Sequence, residues 1–345
     1  MSYVERIQNN DPELVDLRLT EIPEAYTSDM TQLIEALKVN TTIQYVRFDR
    51  DFLPGLKPEL ALELFRATGA LPNLKETLIW HASLPMEVLT GFIEEAKGLE
   101  HLQLGVLHLQ GGETEFSAIS KALEGHPSLK EFELSDFSMD GEAVNIDSLL
   151  VALSGVPKLE KVKLEVTYQK RGSLVGSVAA AQKVKVDLGG EALAKLISSP
   201  TLTDLIISRL TLKTDDVKAL AAAIPGSPAL KSLALSHCSL DDEACSALAV
   251  AVHDSSKVES LDLSCNSISD EGCIAIATAL TGNQSVKFLR LWGNIKISQN
   301  GFDALADMLD NNTVLERIPL MAPGEYKNRI DAKLVQNRTM ANQAA

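Results

Sequence analysis

Apolar residues recur along this chain in one short frame. The clearest copy is Leu99, Leu102, Leu104, Leu107 and Leu109, spaced L-x-x-L-x-L-x-x-L-x-L. The same frame fits Leu230, Leu233, Leu235, Cys238 and Leu240, and again Val258, Leu261, Leu263, Asn266 and Ile268. Copies open at Leu14, Ile43, Leu74, Leu99, Leu129, Leu159, Leu202, Leu230, Val258, Val286 and Leu315, which makes about eleven. The steps between openers are 29, 31, 25, 30, 30, 43, 28, 28, 28 and 29 residues. Apolar residues at frame positions four and six predict a strand with one face buried. The stretches that follow have helical spacing. From Asp270 to Leu280, the residues Cys273, Ile276, Ala277 and Leu280 fall at i, i+3, i+4 and i+7, one face of a helix.

One strand and one helix cannot bury their apolar faces alone. Neighbouring copies must stack, and at least three are needed for a continuous core. The expected architecture is therefore a single α/β solenoid with parallel strands on a concave face and helices on the convex one. Its repeats span 11–322, with an insertion at 168–187 and a C-terminal helical cap at 323–345. Helix starts are expected at Ser28, Thr214 and Ser269, each followed by acidic residues that suit a helix N-terminus. Within the cap, Ile330 and Leu334 are expected to point inward in a helix near Glu325 to Gln336.

This frame resembles the leucine-rich repeat. At about 28 residues per unit it is similar to the ribonuclease-inhibitor-like subfamily, which includes ribonuclease inhibitor, the Ran GTPase-activating protein, tropomodulin and NOD-like receptors. The resemblance covers about residues 11 to 340. It implies a curved horseshoe and a non-catalytic protein-binding module, a scaffold, adaptor or regulator that holds its partner on the concave face. The subfamily also implies two alternatives, a GTPase-activating protein for a small GTPase and a tropomodulin-like cytoskeletal regulator.

Composition narrows the partner. Lys and Arg number 32 against 47 Asp and Glu, a net charge of −15. Nucleic acid and anionic membrane both need a basic footprint, so neither is expected. The expected partner is a protein, and the chain itself is expected to be a cytoplasmic monomer. Hydrophobic residues make up 45% but aromatics only 5%, so the core is expected to be aliphatic. The four cysteines, Cys238, Cys245, Cys265 and Cys273, include no C-x-x-C pair and read as buried thiols in a reducing compartment. Asparagines such as Asn40, Asn283, Asn311 and Asn337 read as turn residues.

The search for chemistry is negative. No phosphate-binding glycine motif, H-E-x-x-H, G-x-S-x-G or EF-hand loop occurs. Six scattered histidines do not supply the three or four ligands a metal site wants. No catalytic residue, metal or cofactor is expected. Acid pairs such as Asp215-Asp216 and Asp241-Asp242 stand at helix starts, where capping accounts for them.

The candidate binding residues follow from strand alternation. With frame positions one, four and six buried, positions three, five and seven face the concave side. Two anchoring patches are expected, Tyr45/Arg47/Trp80/His101 and Phe288/Arg290/Trp292, flanking a charged middle of Glu131, Glu133, Lys161 and Lys163. Both tryptophans fall at position seven. The insertion is a second candidate, as a flap beside that face carrying Lys170, Arg171, Lys183 and Lys185, opposite in sign to the whole chain. Alternation from Lys183 to Val186 predicts a short strand there.

Overall fold

The computed structural model describes residues 3–21, 30–51, 56–80, 82–110, 113–139, 143–166 and 185–344. The chain divides into two compact units, Met1–Asp187 and Leu188–Ala345.

The first unit opens with α1 (Tyr3–Gln8), β1 (Asp16–Glu21), α2 (Met30–Val39), β2 (Tyr45–Asp51), α3 (Pro58–Gly69), β3 (Glu76–Trp80), β4 (Ser83–Pro85) and α4 (Met86–Glu95). It continues with β5 (His101–Gly105), β6 (His108–Gln110), α5 (Glu113–Leu123), β7 (Glu131–Ser135), β8 (Ser138–Met139), β9 (Ala143–Asn145), α6 (Asp147–Ser154), β10 (Lys161–Glu165) and β11 (Lys185–Asp187). The long strands β1, β2, β3, β5, β7 and β10 pair in that order, all parallel. Each begins two residues after a frame opener, and the openers are buried. In β5, Leu102 and Leu104 are buried while His101 and Gln103 are half-buried, as period-two alternation requires. Aromatics enter the core where strand meets helix: Phe48 stacks on Phe65 at 4.3 Å, and Phe65 meets Phe92 edge-on at 6.1 Å.

The second unit holds α7 (Gly190–Ile197), β12 (Asp204–Ser208), α8 (Thr214–Ala223), β13 (Ser232–Ser236), α9 (Asp242–Asp254), β14 (Ser260–Asp262), α10 (Asp270–Gly282), β15 (Phe288–Arg290), α11 (Gln299–Met308) and α12 (Gly324–Ala344). Strands β12 to β15 pair in order and in parallel. Ser269 is a true N-cap, its Oγ accepting from the Glu271 N–H at 3.3 Å. Thr214 is not. Helix α8 already includes it, and its hydroxyl donates instead to Asp241 Oδ2 at 2.8 Å. Ser28 lies outside the described residues. The Asp241-Asp242 pair does cap: Asp241 accepts from the Ala244 N–H, and Asp242 Oδ1 accepts from the Ser269 and Gly272 N–H groups of the next repeat. Asp215 caps nothing among the described residues, and Asp216 Oδ1 accepts from the Gly190 N–H of the helix before.

The turn after each strand shows two solutions to one problem. At frame position eight the backbone passes through positive φ, at Val106, Asp136, Arg209, His237, Cys265 and Gly293. That turn leaves amides and carbonyls to be met. In the second unit Asn266 and Asn294 at position nine meet them, while the copy opened by Leu202 has buried Leu210 there. Asn294 donates to the Leu263 and Leu291 carbonyls and accepts from the Asn266 and Ile268 amides. In the first unit position nine holds buried Ala82, Leu107 and Phe137. There the following residues pair with one another as a second parallel sheet, β4-β6-β8.

A second polar ladder lies three residues before the openers. Asn40 is buried, donates to the Ile7 carbonyl at 2.7 Å and accepts from the Thr42 and Ile43 amides. Asn283 and Asn312 do the same for later repeats. Ser227 and His126 take the equivalent place with different chemistry. These asparagines are thus more than turn residues: each ties one repeat to the one before.

Thr77 brings an unmet hydroxyl into the core. Thr77 stands at frame position four of β3, fully buried, and among the described residues nothing pairs with its hydroxyl. An unmet buried hydroxyl costs about 1–3 kcal/mol. Thr77→Val keeps the shape and removes the hydroxyl, so it is expected to stabilise the protein by about 1 kcal/mol. Urea unfolding checks this, and an unchanged or lower midpoint would reject it.

Candidate interaction surface

The open face of each sheet, away from the helices, carries the candidate residues. In the first unit, register places Tyr45, Glu76, His101, Glu131 and Lys161 side by side at frame position three. Position five brings together Arg47, Leu78, Gln103, Glu133 and Lys163. Tyr45 and Arg47 are exposed, and Arg47 Nε stands 3.9 Å from Asp16 Oδ1.

The charged middle is matched within itself. Lys161 Nζ meets Glu131 Oε2 at 3.1 Å, and Lys163 Nζ meets Glu133 at 2.8 Å and Glu165 at 3.0 Å. Burial works to lower Lys163, but the hydrogen bonds it donates to Glu133 and Glu165 outweigh it and hold the ammonium above its usual pKa. His101 Nε2 lies 4.0 Å from Glu131 Oε1. At the strand starts Glu100 sits between Lys130 and Lys75, whose hydrogen bonds hold its carboxyl at about 2.

Trp80 does not stand up from the sheet. Its ring lies over Gly105 on the next strand, where a Cβ would fall 2.3 Å from the indole. Glycine at that position is what admits the ring. Trp80 is half-buried as a result.

In the second unit Phe288 and Trp292 are exposed, and Arg290 Nη1 reaches Asp262 Oδ2 at 3.2 Å. Two exposed apolar neighbours, Ile295 and Met321, escaped the reading of strand positions. Met321 is position seven of the last copy, so the frame itself could have found it. Of the insertion, Lys170, Arg171 and Lys183 lie outside the described residues. Lys185 opens β11, whose backbone pairs with β9.

Among the described residues no group of His, Cys, Asp and Glu could hold a metal ion, and no helix is long and apolar enough to cross a membrane. Cys238, Cys245 and Cys273 are buried and free, and Cys265 is free and partly covered. Burial pushes the Cys238 and Cys273 thiols up to about 12 and Cys245 higher still, away from reactive thiolate.

His126 serves packing. It is buried, its Nδ1 accepts from the Leu129 amide at 3.2 Å and its Nε2 faces the Ala96 carbonyl at 3.0 Å. Burial, assisted by Lys97 and opposed by that carbonyl, lowers its pKa below 6.5. The unfolded chain therefore binds a proton that the folded chain refuses as pH falls below about 6.5. Stability is full above that value and declines beneath it. His126→Asn restores the residue found at positions 40, 283 and 312 and is expected to flatten this decline. Parallel pH-stability curves for variant and parent would contradict the assignment.

The leucine-rich repeat family profile matches residues 226–249 and 254–277. Those residues are leucine-rich repeats, set in a chain of alternating strands and helices. No curated protein sequence matches it. Among solved structures it is similar to actin-binding site 2 of leiomodin-1, at 20% identity over 44% of this chain and 91% of that one, TM-score 0.43. It is also similar to the C-terminal domain of Caenorhabditis elegans tropomodulin, at 15% identity over 45% and 96%, TM-score 0.42. The Rad7–Elc1 complex of yeast matches at 17% identity over 85% of this chain and 73% of that one, TM-score 0.43. Likenesses this distant assign no activity or partner.

Proposed function

We propose that this protein is a non-catalytic interaction module that binds a protein partner on its open sheet faces. One observation carries the reading: frame positions three, five and seven contribute little to the core, yet they hold both tryptophans with tyrosine, phenylalanine and arginine. Such residues are enriched at interface hot spots, where truncation costs about 2 kcal/mol or more. The acidic surface argues against nucleic acid and anionic membrane as partners. Buried free thiols suit a reducing, cytoplasmic setting. We read the chain as a monomer that works as scaffold, adaptor or regulator.

Proximity labelling with the intact chain would supply a partner to purify. Trp292→Ala and Trp80→Ala, each shown folded by circular dichroism, are then titrated against it. At least one is expected to weaken binding about tenfold or more. If neither does, the sheet faces are not the interface, and the helices or the insertion take their place.

A further inference from the structure

The open face of the second unit changes height across its width. On β13 and β14 it presents small side chains, Ser232, Ala234, Ser236 and Ser260, with Asp262 among them. One strand further the surface rises. Phe288 is 37% exposed, Trp292 53% and Met321 60%. Phe288 pairs with Arg317, and the Leu291 N–H donates to the Pro319 carbonyl at 3.1 Å. That register, carried four residues on, sets Met321 opposite Trp292. The result is a low shelf two strands wide, about 10 Å across, that ends at an apolar wall. Exposed apolar clusters of this kind mark docking sites.

The charge beside the wall says what docks. Arg290 is held by Asp262. Arg317 and Lys296 are exposed, and among the described residues neither has a carboxylate partner. A chain of net charge −15 thus keeps an unneutralised cation, Arg317, on the wall beside Phe288. The face of the first unit is the contrast, since its lysines already hold its glutamates. A basic segment would meet like charge at the wall, whereas an acidic one would pair with Arg317.

We propose that β15 and residues 317–321 dock a peptide segment of a partner protein that carries a large apolar side chain next to carboxylates. The apolar side chain would rest on the shelf against Trp292 and Phe288, and an acidic neighbour would meet Arg317. The inference rests on the proposed function, and its test separates the two.

The probe is a random peptide library displayed on phage and selected on the full-length protein. Enriched peptides are expected to place Asp or Glu beside Trp, Phe or Leu. A fluorescein-labelled copy should lose at least tenfold in affinity on Trp292→Ala and on Arg317→Glu, and not on Trp80→Ala. Exchanging the peptide's acids for lysine should restore binding to Arg317→Glu. Met321→Ser serves as a second, surface-only probe of the wall. Neutral or basic peptides, no enrichment, or affinity unmoved by both Trp292→Ala and Arg317→Glu would overturn the proposal. Peptides that respond to Trp80→Ala alone would overturn it and leave the broader face-binding reading standing.

Discussion

Asn266→Ala is expected to destabilise the second unit by about 3 kcal/mol, near the upper end for one substitution. The Asn266 side chain accepts from the Cys238 and Leu240 amides at 2.9 and 3.1 Å. It donates to the Leu235, Leu263 and Ser264 carbonyls at 2.8, 2.9 and 3.3 Å. Five backbone groups in two adjacent repeats depend on it, close to residues His237, Ser239 and Cys265 that already hold positive φ. Alanine leaves them to water that reaches a half-buried turn poorly. Asn266→Leu imitates the first unit, where Leu107 fills the same frame position, but it is expected to do no better. The first unit meets those groups through β4-β6-β8, whereas the second has in that place the isolated bridge Ser269–Lys296 and single backbone bonds such as Ser267 N–H to the Leu240 carbonyl. Urea unfolding of both variants checks this, and a loss below about 1 kcal/mol for either would reject the argument.

Removing residues 323–345 is the second large effect. Helix α12 buries Ile330 and Leu334, sets Tyr326 against Phe302 at 5.6 Å, and spans Arg329 to Asp307 and Lys333 to Asp310, both at 2.6 Å. Buried Asn337 donates to the Asn312 and Leu315 carbonyls, so the polar ladder of the earlier repeats ends on this helix. Two buried aliphatic side chains contribute about 1.5–3 kcal/mol each. Their loss also uncovers the apolar side of α11. A stacked repeat touches only its neighbours, so no other repeat can cover that surface. The truncated chain is expected to melt about 10 °C lower and to aggregate. Calorimetry and light scattering would show it, and an unchanged melting temperature would mean α12 is no cap.

Much of this fold was legible before any coordinates, because burial and register follow one arithmetic. Leu102 and Leu104 must face inward if Leu99 does, and His101 and Gln103 must then face out. The buried side of α12 was legible too, since Ile330 and Leu334 are one helical turn apart. Three features were not. The ladder of Asn40, His126, Ser227, Asn283 and Asn312 hides because residue types vary while the task, one acceptor with one donor, stays constant. The second sheet hides behind Leu107 and Phe137, which look like a decayed pattern and in fact accompany backbone pairing. The posture of Trp80 depends on Gly105 in the next copy, a relation between repeats that no single repeat displays. The frame already set Glu131 and Glu133 beside Lys161 and Lys163, and strand register pairs them one to one.

The pairing of β11 with β9 also bears on how this protein can change over evolutionary time. Strand β10 ends at Glu165, and the chain returns at Lys185 to hydrogen-bond along Ala143–Asn145. Both ends of the 167–184 stretch are therefore anchored to the same unit by backbone bonds that do not depend on what lies between. Closing a loop costs about 0.6 kcal/mol for each doubling of its length. New sequence can be trialled there at almost no thermodynamic risk to the repeats, whereas an equal insertion within β6 would break a strand that pairs on both sides.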